Sequence, residues 1–240
     1  ALTFGWLVGE LIRRVDGRSV GRYFAEEIAA PLNLDFKIGI DLSDMERCAD
    51  QLMAADDKTA SRAVWLSRVP DWLLPKRLRD IKAAMAVGDY QIAFGAVRDA
   101  ADVINTQEWR MAEVPAANGH GTAASLATLY GVLAGGGVRG DYHLLTPKTI
   151  DWVTQVHSSG PDDALFGLPY QFGLGYMVDS PMTPISLAKG RFGHSGIGGE
   201  VAFGDCKNQL GFAFVNNQQH GLLNLYQTAN QLSKALYQAL

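Results

Sequence analysis

The chain has 240 residues and a mass of 26.0 kDa, which suits one large domain or two small ones. Its 48% hydrophobic and 19% charged residues are ordinary for a soluble globular protein. The net charge of −4 comes with no basic run, so nucleic acid and acidic membrane surfaces are poor candidates for partners. No apolar stretch approaches the roughly 18 residues of a membrane span.

The first predicted elements are helices. Apolar residues at helical spacing predict a helix over residues 3–15, with Gly17 as its stop. Ser19 can cap a second short helix through Ile28, which Pro31 should end.

The next region, residues 42–97, differs in character from the helices before it. Its pattern predicts a helical subdomain at about 41–115. It carries helical patterning, charged faces and prolines, and an apolar and aromatic concentration surrounds Pro70. That concentration consists of Trp65, Leu66, Trp72, Leu73 and Leu74. Core packing under the subdomain is the simpler interpretation. The alternative is a wall or lid over an acyl-binding pocket, because such pockets are lined mainly by apolar and aromatic groups.

The middle of the chain alternates turns and helices. Residues 118–121 predict a turn that places His120 in a loop, as a solvated side chain or as a contributor to a site. Thr122 or Ser125 can cap a helix that ends at the glycines 135–137. Thr146 followed by Pro147 predicts a helix to about Val156.

The last third predicts strands and a closing helix. Residues 172–178 are typical of a strand, in which Gly173 and Gly175 would leave one face clear. Strands at 201–203 and 210–215 with a polar turn between them predict a hairpin. Residues 222–240 predict an amphipathic helix with an apolar face of Leu225, Ala229, Leu232, Leu236 and Leu240. The resulting fold class is α+β, an antiparallel sheet flanked by helices.

The densest run of glycine and catalysis-capable side chains is Arg-Phe-Gly-His-Ser-Gly-Ile-Gly-Gly-Glu, residues 191–200. It predicts that His194 and Ser195 lie at the edge of the sheet, where a ligand can approach the main chain. A solvated tight turn is the simplest alternative. A nucleophile elbow, G-x-S-x-G, is a second alternative, but Ile197 replaces its last glycine and a strand follows instead of a helix.

One further nucleophile pattern, S-x-x-K, occurs at Ser186 and Lys189. Its chemistry needs both side chains on one turn of helix. Pro181 and Pro184 before it and Gly190 after it make a helix of that length improbable, so we interpret the match as chance.

Four blocks of the chain resemble the family of class C β-lactamases and penicillin-binding-protein-like serine esterases. Gly-His-Ser-Gly resembles the family's third motif, where a Lys-Thr-Gly or His-Thr-Gly run lies beside the nucleophile. The other similar blocks are residues 2–12, residues 16–19 together with 28–34, and residues 115–127, and the strand at 172–178 is also similar. The order of the blocks matches over nearly the whole chain, so the resemblance implies a β-lactamase/transpeptidase-like fold.

The resemblance implies a serine hydrolase that works through an acyl-enzyme. His194 would hydrogen-bond toward the family's Tyr base, Ser195 would offer its hydroxyl to the substrate, and the Ile197 N–H would form half of an oxyanion hole. Gly196, Gly198 and His120 are candidates for substrate binding. His in place of Lys favours a carboxylesterase for small acyl esters. The alternatives are a β-lactamase or D-Ala-D-Ala peptidase-type activity, or a non-catalytic homologue that binds such a ligand.

The family's S-x-x-K nucleophile and Tyr base would precede Ala1. We therefore expect this chain to be the C-terminal portion of one β-lactamase-like catalytic domain, incomplete at its N-terminal side and inactive alone. Its partners would be a small ester or β-lactam-like substrate and the missing N-terminal segment. The compartment stays open between the cytoplasm and the periplasm of a bacterium.

Cofactors and metals are not expected. Cys48 and Cys206 lack a C-x-x-C context and are predicted to be buried free thiols rather than a disulfide. None of the 5 histidines has the spacing of a metal ligand pair.

Overall fold

The structure is a computed structural model that describes residues 2–52, 68–76, 78–79, 82, 93, 103–165, 167–221 and 224–240. Trp65, Leu66 and most of the expected helical subdomain at 41–115 lie outside the described residues, so the subdomain stays a prediction. The expectation of core packing holds for Leu74, which is buried. It is wrong for Trp72 and Leu73, which are exposed.

The architecture is a large antiparallel sheet with two small two-stranded sheets beside it. In chain order the strands are β1 Phe36–Ile38, β2 Gly119–Gly121, β3 Val138–Arg139, β4 Tyr142–His143, β5 Ser158–Asp162, β6 Leu168–Phe172, β7 Met177–Asp179, β8 Arg191–Ser195, β9 Val201–Asp205 and β10 Leu210–Phe214. The large sheet has the order β10-β9-β8-β7-β6-β5, so each strand pairs with its neighbour along the chain. The small sheets pair β1 with β2 and β3 with β4.

Helices cover both faces of the large sheet. Within the described residues the helices are, in chain order, α1 Leu2–Asp16, α2 Val20–Phe24, α3 Ala30–Leu32, α4 Gln107–Met111, α5 Ala123–Ala134, α6 Pro147–Val153 and α7 Gln227–Ala239. Phe192 packs in a cluster with Leu133 of α5, whereas Phe203 packs in a cluster with Ala229 of α7. Gly193 pairs with Phe203, and side chains alternate along a strand, so these two clusters lie on opposite faces. The expected α+β class with helices flanking an antiparallel sheet is confirmed.

The N-terminal helices follow the sequence signals in part. Gly17, with a φ of 90°, ends α1, and the Ser19 side chain accepts a hydrogen bond from the N–H of Arg22 as the cap of α2. The chain then widens into a π-helical turn at Ala25–Ala29 and continues into α3. The expected end before Pro31 is therefore wrong. Proline has no N–H to donate, and the Tyr142 hydroxyl donates to the carbonyl of Glu27 instead.

The apolar stripe of α1 is not covered by the described part of the chain. Phe4, Leu7, Val8 and Leu11 are between 39% and 67% exposed. Gly5 is the buried residue of this helix, and its Cα lies against Ala116. A contiguous apolar helix face therefore meets solvent here.

Two predictions of strands and turns need correction. The single strand expected at 172–178 is two strands, β6 and β7, joined by a turn in which Gly175 has a φ of 84°. Gly173 lies against the carbonyl of Val153, which leaves no room for a side chain. The turn expected at 118–121 is strand β2, whose two glycines leave room for the ring of Phe36.

The later helices are shorter than predicted. Thr146 caps α6 as expected, but the helix ends at Val153 rather than near Val156. The helix α7 begins at Gln227 rather than at 222. Its inner face uses Ala229 and Ser233, which are buried, whereas Leu232 is exposed like Leu240 of the predicted apolar face. Thr122 is the cap of α5, and Gly135 follows the last residue of that helix.

Both cysteines are free thiols. The expected burial is wrong for Cys206, which is exposed in the turn after β9, and Cys48 is half-buried. In the part of the chain that the structure describes, no helix is both long enough and apolar enough to cross a membrane.

Candidate active site

His194 and Ser195 end strand β8, the third strand from the β10 edge of the sheet. His194 pairs with Ala202 and Ser195 pairs with Val201, while β7 lies on the other side of β8. The expected position at the edge of the sheet is therefore wrong: the two residues lie at the end of an interior strand. Strand β9, not a helix, follows Ser195, so the structure contradicts a nucleophile elbow.

The His194 ring lies on the face of the sheet that α5 covers, beyond Phe192. Its Nδ1 lies 2.9 Å from the carbonyl oxygen of Ser195. A carbonyl oxygen can only accept, so Nδ1 carries the proton and the Nε2 of the neutral ring is an acceptor. The side chain is open to solvent but surrounded by protein, and this partial desolvation lowers the pKa of His194. At neutral pH the ring is therefore an uncharged acceptor.

Ser195 is half-buried and points to the opposite face. Its hydroxyl donates to the Sδ of Met177 at 3.6 Å, and a thioether is a weak acceptor. Because neighbouring residues of a strand alternate in direction, the structure does not bring the His194 ring and the Ser195 hydroxyl together as a nucleophile–base pair.

The site loop, residues 196–199, is a tight reversal between β8 and β9. The Gly196 N–H donates to the carbonyl of Glu200 at 2.7 Å, and the Gly199 N–H donates to the carbonyl of Gly196 at 3.2 Å. Gly199 has a φ of 104°, a conformation that favours glycine. The Tyr226 hydroxyl also donates to the Gly196 carbonyl, at 3.2 Å. Hydrogen bonds on several sides therefore hold the loop.

Ile197 is the exposed residue of the site loop, with 46% of its surface open to solvent. Its N–H has no acceptor within the described residues. An unpaired backbone donor in a rigid turn beside His194 is the type of group that forms an oxyanion hole.

Gly198 lies on the inner side of the site loop. Its carbonyl accepts hydrogen bonds from the His220 N–H at 3.0 Å and from the Asn216 Nδ2 at 3.2 Å. These bonds dock the loop onto the segment that follows β10. A direct contact of Gly198 with substrate stays a prediction.

His120 lies on strand β2 opposite Lys37, not in the loop that the sequence predicted. Burial lowers the pKa of His120, and its Nδ1 is buried without a partner among the described residues. No described contact joins it to the site loop. The role of His120 in substrate binding stays a prediction.

The S-x-x-K match does not form a catalytic pair. Ser186 lies in a short 3₁₀ turn, Pro184–Leu187, and its hydroxyl donates to the carbonyl of Thr183 at 3.0 Å. Lys189 lies beyond the end of that turn, and both side chains are exposed. The expected lack of a longer helix here is confirmed.

Glu200 has no role in the motifs above, yet its carboxylate folds back against the site loop. Cβ atoms placed on Gly196 and Gly198 would come within 2.6 Å and 2.5 Å of its two oxygens. The available signal was an acidic residue directly after a glycine-rich turn.

Within the described ranges, no group of three or more His, Cys, Asp or Glu side chains could hold a metal ion.

The fold is similar to those of a solved penicillin-binding protein homologue and of solved esterases. A penicillin-binding protein homologue from Caulobacter crescentus superposes with a TM-score of 0.75 at 31% identity, covering 100% of this chain and 57% of that one. A family VIII carboxylesterase superposes with a TM-score of 0.69 at 27% identity, covering 93% and 55%. These similarities define the class of protein as β-lactamase/transpeptidase-like.

The family model named Beta-lactamase matches residues 1–235, and the chain belongs to this family. Among curated proteins, the esterase/beta-lactamase LipL of Mycobacterium tuberculosis (strain ATCC 25618 / H37Rv) is 32% identical over 224 residues. That match covers 91% of this chain and 47% of LipL, so the chain spans about half the length of this relative.

Proposed function

We propose that the protein acts as a serine carboxylesterase on small acyl esters, through an acyl-enzyme. The observation that carries the proposal is the unpaired Ile197 N–H in a fixed turn beside the neutral His194 ring. A donor in that position can stabilise the oxyanion that develops when an ester carbonyl is attacked. Two relatives support this function: LipL is an esterase/beta-lactamase, and one of the similar solved structures is a family VIII carboxylesterase.

The reaction has two steps. A serine oxygen adds to the ester carbonyl carbon, its proton passes to the leaving alkoxide, and the alcohol departs. Water then adds to the acyl-enzyme carbonyl and returns the proton to the serine oxygen as the acid leaves. The Ile197 N–H would donate to the carbonyl oxygen in both steps, and the Ser195 hydroxyl would donate to the bound substrate after leaving Met177.

His194 would accept a hydrogen bond at Nε2 from the hydroxyl of the general base. Its Nδ1 proton is engaged by the Ser195 carbonyl, which fixes the tautomer. A neutral acceptor orients a tyrosine hydroxyl, whereas a lysine cation would stabilise the phenolate and attract a substrate carboxylate. The uncharged ring therefore favours neutral esters over β-lactams.

The nucleophile and base are proposed to come from an S-x-x-K and Tyr segment that packs against this chain. We propose that the segment covers the apolar stripe of α1, because Phe4, Leu7 and Leu11 lack cover among the described residues. The 240 residues alone should then turn over no ester. Hydrolysis of a β-lactam is a second candidate function, favoured by the similarity to LipL, an esterase/beta-lactamase.

Fluorophosphonate labelling with peptide mapping tests the proposal, beside turnover of p-nitrophenyl butyrate and of a chromogenic cephalosporin. In the complete natural protein, the label should fall on a serine outside residues 1–240, and the ester should be turned over faster than the cephalosporin. A label on Ser186 or Ser195 would contradict the proposed nucleophile. Faster turnover of the cephalosporin would favour the second candidate.

A further inference from the structure

The Glu200 carboxylate packs closely against the site loop. The Cα atoms of Gly196 and Gly198 lie so close to the carboxylate that a Cβ on either would approach it to 2.6 Å or less. Only glycine lets the main chain lie this close to another group. The glycines on both sides of Ile197 therefore rest against one carboxylate.

The surroundings of Glu200 are poor in positive charge. The Gln51 Nε2 donates to Oε1 at 3.4 Å, and no Lys or Arg of the described part of the chain forms an ion pair with this carboxylate. Burial raises the pKa of Glu200, and the N–H groups of Glu200 and Gly198, the Gln51 amide and His220 offset this only in part. The folded protein therefore disfavours the ionised side chain, and the contact of the carboxylate with Gly196 and Gly198 points to a role in the site loop.

The loop geometry suggests that role. The N–H groups of Gly196 and Gly199 donate to the main-chain carbonyls of Glu200 and Gly196, and the Ile197 N–H has no acceptor among the described residues. Ile197 lies between two glycines that contact the Glu200 carboxylate. An oxyanion donor acts only when its N–H is fixed where the charge develops. A displacement of about 1 Å in such a group can cost about 100-fold in rate.

Resting on the esterase function above, we propose that Glu200 is a positioning residue. Its carboxylate holds Gly196 and Gly198 so that the Ile197 N–H stays turned outward as a fixed oxyanion donor. The side chain itself touches no reacting atom. Gln51, next to Leu52, whose N–H donates to the Asn217 carbonyl, donates to the same carboxylate at 3.4 Å.

The test is Glu200→Gln in the complete natural protein, with p-nitrophenyl butyrate as substrate and fluorophosphonate titration to count active sites. We expect kcat per titrated site to fall about 10- to 100-fold. KM should stay nearly unchanged, because the lost interaction belongs to the transition state. Tm at pH 7 should be equal or higher, since no buried charge remains.

Asp205→Asn is the matched control, because it neutralises the buried carboxylate at the other end of β9. It should lower Tm and leave kcat per titrated site unchanged. If Glu200→Gln instead lowers Tm and keeps kcat per site, Glu200 is only structural and the proposal is wrong. A wild-type protein without ester turnover would overturn the proposed function together with this inference, whereas an active wild type with an equally active Glu200→Gln variant overturns the inference alone.

Discussion

Two carboxylates flank the length of strand β9 in opposite electrostatic environments: Glu200 directly before the strand, and Asp205 as its last residue. At the far end, Asp205 is 1% exposed and faces many donors. It accepts from the Lys207 N–H at 3.0 Å, the Asn208 Nδ2 at 2.9 Å and the Tyr237 hydroxyl, and its ion-pair partner Arg191 lies 3.4 Å away. Burial by itself would raise the pKa of Asp205, but these donors outweigh it, so its pKa lies below the usual value.

At the loop end, Glu200 has few donors, and burial raises its pKa. The difference follows from the number of hydrogen bonds and positive charges that each carboxylate receives. The Asp205 end joins the sheet to α7, where the Arg191 guanidinium stacks on the Tyr237 ring at 3.9 Å. The Glu200 end keeps a backbone donor free beside His194. The Asp205 carboxylate, where the hairpin is anchored, thus receives many hydrogen bonds and a positive charge. The Glu200 carboxylate, beside the proposed reaction site, receives few hydrogen bonds and, among the described residues, no ion pair.

The largest expected effect is a loss of folding stability at the Asp205 end of β9. Asp205→Ala leaves the buried Arg191 without its partner and should lower the free energy of unfolding by about 3–5 kcal/mol. Urea unfolding of the chain measures the loss. Asn208→Ala removes only one donor and should cost about 1 kcal/mol. Equal losses in the two variants would show that the Arg191 pair is not what anchors this end.

The second largest expected effect is a fall in kcat on changing His194, near the loop end of the hairpin. His194→Ala should lower kcat for p-nitrophenyl butyrate about 100-fold in the complete protein, because it removes the acceptor that we propose orients the base. Tm should change little, since the ring is exposed. His143→Ala, at another exposed histidine on β4, should keep wild-type kcat. Unchanged kcat in His194→Ala would remove this residue from the mechanism.

A third experiment separates backbone strain from crowding in the site loop. Gly199→Ala places a Cβ at a φ of 104° and against the carbonyl of Leu225, and should cost about 2 kcal/mol of unfolding free energy. Gly17 has a φ of 90° but nothing within 4 Å of an added Cβ. Gly17→Ala should therefore cost only about 1 kcal/mol. Equal costs would mean that the Leu225 contact contributes nothing.

The smallest effect is the pH dependence of unfolding, where the two carboxylates should act in opposite directions. The pKa of Asp205 is lowered from 3.8, so its stabilisation is present above that pH and is lost as the pH falls through the folded value. The pKa of Glu200 is raised from 4.5, so its contribution is full below that pH and is lost as the pH rises through the folded value.

Urea unfolding between about pH 3 and pH 7 compares the wild type with each neutralised variant. The deficit of Asp205→Asn should shrink toward the acid end of this range. Glu200→Gln should gain stability over the wild type toward the neutral end. Slopes of the same sign for both variants would contradict the assigned environments.

Short-range signals account for the features that the sequence predicted well. The Ser19, Thr122 and Thr146 caps and the Gly17 stop each depend on a few adjacent residues. The hairpin of β9 and β10 likewise follows from two β-rich runs around a polar turn. The motif at 193–196 is local too, and together with the blocks at 2–12, 16–19, 28–34 and 115–127 it identified the family that the comparisons confirm.

The sequence by itself thus determined the α+β class, the family and the Gly-rich segment that contains His194, Ser195 and Ile197. Only the tertiary structure decided that β8 is an interior strand, that Gly119–Gly121 pair with β1, and that the Glu200 carboxylate packs against the site loop. These features depend on residues far apart in the chain, as with Gln51 and Glu200. Strand neighbours and the hydration of a carboxylate are set by such distant partners, which no local pattern encodes.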